Sequence, residues 1–370
     1  MSLVEQINKK RREIKTDGYP MSIGEWVSMY EREELDIHPE FQRFYRWTSA
    51  QKAGLIESIL LGIPLPQIFV SQRSDGVWDV VDGLQRLSTI FQFMGILRDE
   101  DGQRMEPLAL EGTKYLPALN GVLWESADNP RHALPKELQL VIKRSKIAAS
   151  IVLKESDESA KYDLFQRLNT GGSELSPQEV RNCLLVMINK SFFEWLKELP
   201  RYEPFIATTA LSDRPLEEAY DVELALRFII LARIPEVEIK SIGDVGIFLT
   251  DRVSEVAQNK RFRRGEIKQL FEDTFDVLAQ ILEDEAFKRY SIKKKRHEGG
   301  FLLSMFEVVA LGVAYNIAEG TLCEQKEIPK RARSIWSNKA FTDWATSGVN
   351  ASRRLPRLIP LGRKLFSNAV

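Results

Sequence analysis

Residues 80–90 read VVDGLQRLSTI. A β-branched run breaks at Asp82-Gly83 and resumes with Leu87, Ile90, Phe91 and Met94 at helical spacing. The pattern predicts a strand over 78–81, a turn at 82–83 and a helix over 84–97. A strand that feeds a helix through one turn argues for an α+β fold. Two readings of the turn stay open. In one, Asp82 is a helix N-cap, Gly83 a turn residue and Arg86 a solvated charge. In the other, the helix start presents unpaired N–H groups to a phosphate, with Arg86 as a charged fork, Gln85 as a neutral donor and Gly83 allowing close approach.

Working outward, residues 34–37, 67–72 and 146–154 read as further strands and residues 49–61 as a helix capped by Thr48 or Ser49. GIPLP at 62–66 stops that helix, and Ser74-Asp75-Gly76 has the chemistry to fold FVSQR back on VWDVV as a hairpin. Beyond residue 157 the texture becomes helical: Ser176-Pro177-Gln178-Glu179 is a helix start, and residues 216–231, 267–282 and 300–316 carry helical periodicity. The expected organisation is an α+β domain over 1–155 followed by an all-α domain over 156–370.

A chain of 370 residues exceeds the roughly 250–300 at which a single core stops growing, which also favours two domains. With 44% hydrophobic and 28% charged residues it is an ordinary globular protein. Two cysteines, Cys183 and Cys323, and three histidines offer no thiol-imidazole zinc pattern and suit a reducing, cytoplasmic setting. No signal-peptide core and no membrane-spanning apolar run occurs. The net charge of −1 hides segregation, because residues 330–364 hold nine Lys or Arg and one acid, Asp343. Smaller basic runs lie at 260–264 and 293–296.

Two further stretches are dense in polar groups beside turns. FQRFYRW at 41–47 brings Gln42, Arg43 and Arg46 among aromatics, and FQRLNTGG at 165–172 brings Arg167, Asn169, Thr170, Gly171 and Gly172. Arginine among aromatics suits phosphates and bases, and a Gly-Gly loop lets backbone donors approach a ligand. The plainer readings are a core-entry segment and a glycine C-cap. In order and spacing, PEFQRFYRW, LIESILLGIPLPQIFV, VVDGLQRLSTI and FQRLNTGGSELSPQEVRN closely resemble the N-terminal domain family of the GmrSD-type modification-dependent restriction endonucleases. That family has a ParB/sulfiredoxin-like core and an Asp-Gly-Gln-Gln-Arg signature.

The resemblance implies that Asp82, Gly83, Gln85 and Arg86 form a pocket with Gln42, Arg43, Arg46, Arg167 and Asn169 to Gly172. It implies nucleoside triphosphate binding or hydrolysis, or DNA phosphodiester chemistry. Asp82, Gln85 and Arg86 are the expected catalytic residues, with Mg²⁺ or another divalent metal on Asp82. Leu84 stands where the signature has its first glutamine. His38, His132 and His297 are the only histidines, so these residues hold no HNH nuclease domain. Glu236 and Glu238-Ile239-Lys240 are too close together for a PD-ExK site. DNA is the expected partner. A partner nuclease or defence subunit and self-association stay open, as does a non-catalytic binding module. At the C-terminus Arg353, Arg354 and Arg357, near Trp336, Phe341 and Trp344, read as a nucleic-acid contact or as solvated helix faces.

Overall fold

The computed structural model describes residues 2–5, 15–37, 47–99, 101–127, 129–156, 177–345 and 349–368. The chain divides into two compact units, Met1–Glu174 and Leu175–Val370. The first is α+β and the second is almost entirely helical.

The N-terminal unit is built on β1 (Thr16–Ser22), α1 (Ile23–Glu31), β2 (Leu35–Asp36), α2 (Ser49–Leu60), β3 (Ile68–Gln72), β4 (Trp78–Asp82), α3 (Leu84–Phe93), α4 (Lys136–Arg144) and β5 (Lys146–Val152). The strands form one mixed sheet in the order β1-β5-β3-β4-β2. The β3–β4 hairpin closes as the sequence predicts: Arg73 and Val77 pair across the turn, the Asp75 carboxylate accepts from the Val77 N–H at 3.0 Å, and Gly76 supplies a φ of +92°. Strand β5 then enters parallel to β3, and β1 closes that side antiparallel to β5.

Strand β1, TDGYPMS, escapes a reading by composition because glycine and proline punctuate it. An edge position tolerates both, since Pro20 withholds an N–H no neighbour on the open side needs. Helix α2 carries a full capping box between Thr48 and Gln51 and buries Ala53, Leu55, Ile56 and Ile59. Helix α3 stops at Phe93, short of the expected Leu97, because Gly95 turns left-handed (φ +71°) and the Ile96 N–H returns to the Phe91 carbonyl. The core gathers Trp26, Ile56, Ile68, Val70, Leu87, Ile90, Phe91 and Ile147, with Tyr30 stacked on Phe91 at 4.5 Å between ring centres.

The helical unit runs through α5 (Pro177–Glu198), α6 (Glu203–Thr209), α7 (Tyr220–Leu231), α8 (Val245–Gln258), α9 (Arg264–Leu282), the hairpin β6 (Arg289–Ser291) and β7 (Arg296–Glu298), α10 (Leu303–Ala318), α11 (Ile328–Ser334) and α12 (Ala351–Leu365), with shorter turns between. The predicted helix over 216–231 is broken at Ala219, whose φ is +53°, so α7 begins only at Tyr220. Helices α10 and α12 cross with backbones touching: a Cβ on Gly362 would meet the Val308 backbone, and one on Gly312 the Gly362 backbone. Asn316 bridges that crossing, donating to the Gly312 and Arg363 carbonyls at 2.8 Å each. Among the described residues no helix is long and apolar enough to cross a membrane.

Candidate functional site

The turn at Asp82 takes its shape from β3 and β4. Val80 and Val81 are buried on β4, and Asp82, its last residue, lies opposite Phe69 just past a bulge that leaves Val81 of β4 as the extra residue. Gly83 then adopts φ +103°, ψ 9° and becomes the N-cap of α3. The backbone angle favours glycine there, and a Cβ would also displace Ile68 Cδ1.

Among the described residues no side chain caps α3. The reading of Asp82 as the cap is therefore corrected, because its carboxylate is turned toward Arg86 instead. Arg86 Nη2 donates to Asp82 Oδ2 at 3.0 Å, and Nη1 donates to the Gln67 carbonyl at 3.0 Å and to the Pro66 carbonyl. The reading of Arg86 as a solvated charge fails with it, since the Arg86 side chain is only 11% exposed, against 42% for Asp82. Burial pulls the Arg86 pKa below the ordinary guanidinium value, with Asp82 working the other way. The carboxylate is thus the open group of the pair, and the guanidinium ties the LPQ entry to β3 onto the first turn of α3.

Gln85 faces another segment. Its Oε1 accepts the Trp47 N–H at 3.4 Å, while Thr89 donates to the Gln85 carbonyl at 2.7 Å. Farther along α3, Gln92 Oε1 accepts from Lys52 Nζ of α2 at 3.0 Å, and burial lowers the Lys52 pKa. Lys52 is a cation beside the motif helix that spacing alone does not reveal, because the packing of α2 on α3 brings it there.

A second charge cluster holds β2 against β4. Asp36 and Asp79 are register partners on these parallel strands, and Arg73 bonds both, reaching Asp36 Oδ2 at 2.5 Å. Burial opposes the Arg73 charge, but the hydrogen bonds to Asp79 and Asp36 outweigh it and raise its pKa. Strand β2 precedes the FQRFYRW stretch and Trp47 is its last residue, and each is bonded to an element that also carries the motif turn. Gln42, Arg43, Arg46 and His38 lie outside the described residues, as do Arg167, Asn169, Thr170, Gly171 and Gly172.

Among the described residues no three His, Cys, Asp or Glu side chains stand together as a metal-holding group.

In the helical unit the three C-terminal arginines part company. Arg353 is exposed, and Arg357 stacks over Trp344 at 4.0 Å. Arg354 turns inward, bonding both oxygens of the buried Glu307 at 2.7 and 2.8 Å. Burial opposes its charge, yet Glu307 raises its pKa. The interior pair continues into a network: Arg227 lies 3.8 Å from Glu307 and bonds Glu223 at 2.7 and 2.9 Å, and Glu223 also pairs with Arg181 at 3.2 Å. Arg181 follows the NTGG stretch in sequence and is only 2% exposed, held in turn by Gln178 at 2.9 Å. Glu236 and Glu238 sit on a short helix, with Glu238 paired to Arg252, which is not a two-strand nuclease arrangement.

Residues 23–186 match the family model of the GmrSD restriction endonuclease, N-terminal domain. No curated protein and no solved structure matches the chain.

Proposed function

We propose, from the match of residues 23–186 to the GmrSD restriction endonuclease N-terminal domain family, a restriction or defence-type protein that binds a nucleoside triphosphate and DNA and hydrolyses the nucleotide at the Asp82 turn. The observation that carries the reading is the uncapped first turn of α3 behind a left-handed glycine, with the half-open Asp82 carboxylate beside it. Backbone N–H groups there favour phosphate oxygens, and Gly83 supplies the left-handed turn that starts the helix at that point. Asp82 holds the divalent ion that arrives with the nucleotide or orients the attacking water. Bound Mg²⁺ supplies charge neutralisation at the phosphates. Arg86 keeps the turn in shape and adds positive potential from below. Gln42, Arg43, Arg46, Arg167 and the 169–172 loop complete the pocket in this reading.

One observation favours a second reading. Arg86 is already committed to two carbonyls and to Asp82, which fits a module that binds nucleotide without turnover and leaves chemistry to a partner nuclease.

Phosphate release from purified protein, with each of the four NTPs and Mg²⁺ and with or without DNA, separates the two. Turnover that falls at least about tenfold in Asp82→Asn supports the enzyme. Nucleotide binding with no turnover in any condition leaves the binding module, and no nucleotide binding overturns both. Arg86→Ala is the less selective variant, since it also frees the Pro66 and Gln67 carbonyls.

A further inference from the structure

We propose that the helical unit carries a DNA surface running from the β6–β7 hairpin to the first two turns of α12, and that it grips the phosphate backbone of duplex DNA. This deepens the DNA arm of the reading above and rests on it.

Helix α12 is two-sided. Leu355, Leu358 and Ile359 are buried against the unit, while Arg353 and Arg357, one turn apart, are exposed and line an open cleft of about 560 Å³ with Trp344 and Pro356. From Trp344 the contacts run on toward the hairpin. The Trp344 N–H reaches the Phe341 carbonyl at 3.0 Å, and the buried Phe341 packs edge-on against Trp336 at 5.1 Å. Arg289 of β6 lies over Trp336 at 5.8 Å, and Arg333 of α11 over Tyr290 of β6 at 5.6 Å. Beyond them, the tight turn between β6 and β7 holds Lys295 at φ +53° and presents exposed Lys293 and Lys295.

How these cations are satisfied is what points to a ligand. Several surface basic residues of the unit answer to carboxylates: Arg252 to Glu238 and Glu255, Arg263 to Glu266, Lys288 to Asp284, and Arg331 to Glu327. Others, such as Arg201, Lys260 and Arg261, make no ion pair with a described residue, so what sets this surface apart is that its unpaired cations gather beside aromatic rings. Arg289, Lys293, Lys295, Arg333, Arg353 and Arg357 make no ion pair with a described residue. Three of these four arginines lie over aromatic rings instead. A ring holds a guanidinium plane in place and leaves its charge uncancelled, with the N–H edges available to oxygen acceptors. The same stacking covers ring faces that an unpaired base would need, so the surface suits a phosphate backbone better than single-stranded bases.

The test is binding of full-length protein to a short labelled duplex of arbitrary sequence by fluorescence anisotropy, between about 50 and 200 mM salt. Lys293→Gln with Lys295→Gln, and separately Arg353→Gln with Arg357→Gln, are each expected to lower the log–log salt slope by roughly 1.8, and the fourfold variant by roughly twice that. Arg353→Lys with Arg357→Lys, which keeps the charge, is expected to hold the slope. Wild-type binding with a steep slope that none of the Gln variants changes overturns the surface but leaves the DNA arm standing. Preference for single strands, lost in Trp344→Ala, overturns it in favour of base stacking. Failure of wild type to bind any DNA removes the DNA arm as well, while phosphate release reports on the nucleotide arm independently.

Discussion

The two units place similar charged side chains in opposite settings. In the N-terminal unit Arg86 and Asp82 are one turn apart, and the carboxylate stays half open at the end of the sheet. In the helical unit Arg354 reaches Glu307 across 47 residues of sequence, and the carboxylate is 1% exposed. An arginine in a basic run is therefore not a surface arginine by default. Its role is decided by whether a distant helix brings a carboxylate beneath it.

The comparison predicts its own largest effect. Arg354→Met leaves Glu307 buried with only Arg227 at 3.8 Å, and is expected to cost about 3–5 kcal/mol in urea unfolding. Adding Glu307→Leu should recover most of that loss, because a well-packed apolar pair replaces a buried charge without its partner. A loss under about 1 kcal/mol for Arg354→Met would place the pair with ordinary surface ion pairs and break the contrast.

Next comes Gly83→Ala, expected to destabilise by about 3 kcal/mol. The left-handed backbone strains any Cβ, and Ile68 occupies the space besides. Glycine at 54 meets nothing within 4 Å, so Gly54→Ala in α2 is the matched control and should be neutral or slightly stabilising. Equal losses at both positions would mean that the turn is not built around Gly83.

A third effect is confined to alkaline pH. Burial, joined by Glu223 and Glu307 and opposed by Arg227 and Arg354, pushes the Tyr220 pKa up to about 12. The folded state therefore favours the neutral phenol. That contribution is fully present below the unfolded value near pH 10 and is lost as pH rises toward 12. Tyr220→Phe should remove up to about 2 kcal/mol of the stability lost across that window, read by unfolding at stepped pH. An unchanged alkaline slope would detach Tyr220 from the buried network.

How much was legible beforehand follows the same division. The strand–turn–helix at 78–93 and the hairpin at 74–76 could be read because period, turn chemistry and caps are local. Strand β1 was not, since its glycine and proline are tolerated only by an edge position that the sheet order defines. At the site, Gly83 was readable as a turn residue, but the loss of Asp82 as a cap was not. That depends on the Pro66 and Gln67 carbonyls drawing Arg86 down beside it. Arg353 and Arg357 are exposed, as either reading of the basic C-terminal stretch allows. Arg354 lay one residue out of phase with them, and α12's buried face at Leu355, Leu358 and Ile359 was the available signal.

The smallest stability effect is the most informative about function. Asp82→Asn keeps the shape of the side chain and loses only a partly exposed pair one helical turn long, so unfolding free energy should change by about 0.5 kcal/mol or less. Phosphate release, on the proposed mechanism, should fall at least about tenfold in the same protein. Arg354→Met predicts the reverse pattern: a large stability loss with nucleotide turnover per folded molecule retained. If Asp82→Asn instead unfolds the N-terminal unit, the carboxylate is structural, and the open end of α3 loses its claim to chemistry. If both quantities stay at wild-type values, the turn is neither structural nor catalytic through Asp82, and a nucleotide bound there is held by backbone N–H groups alone.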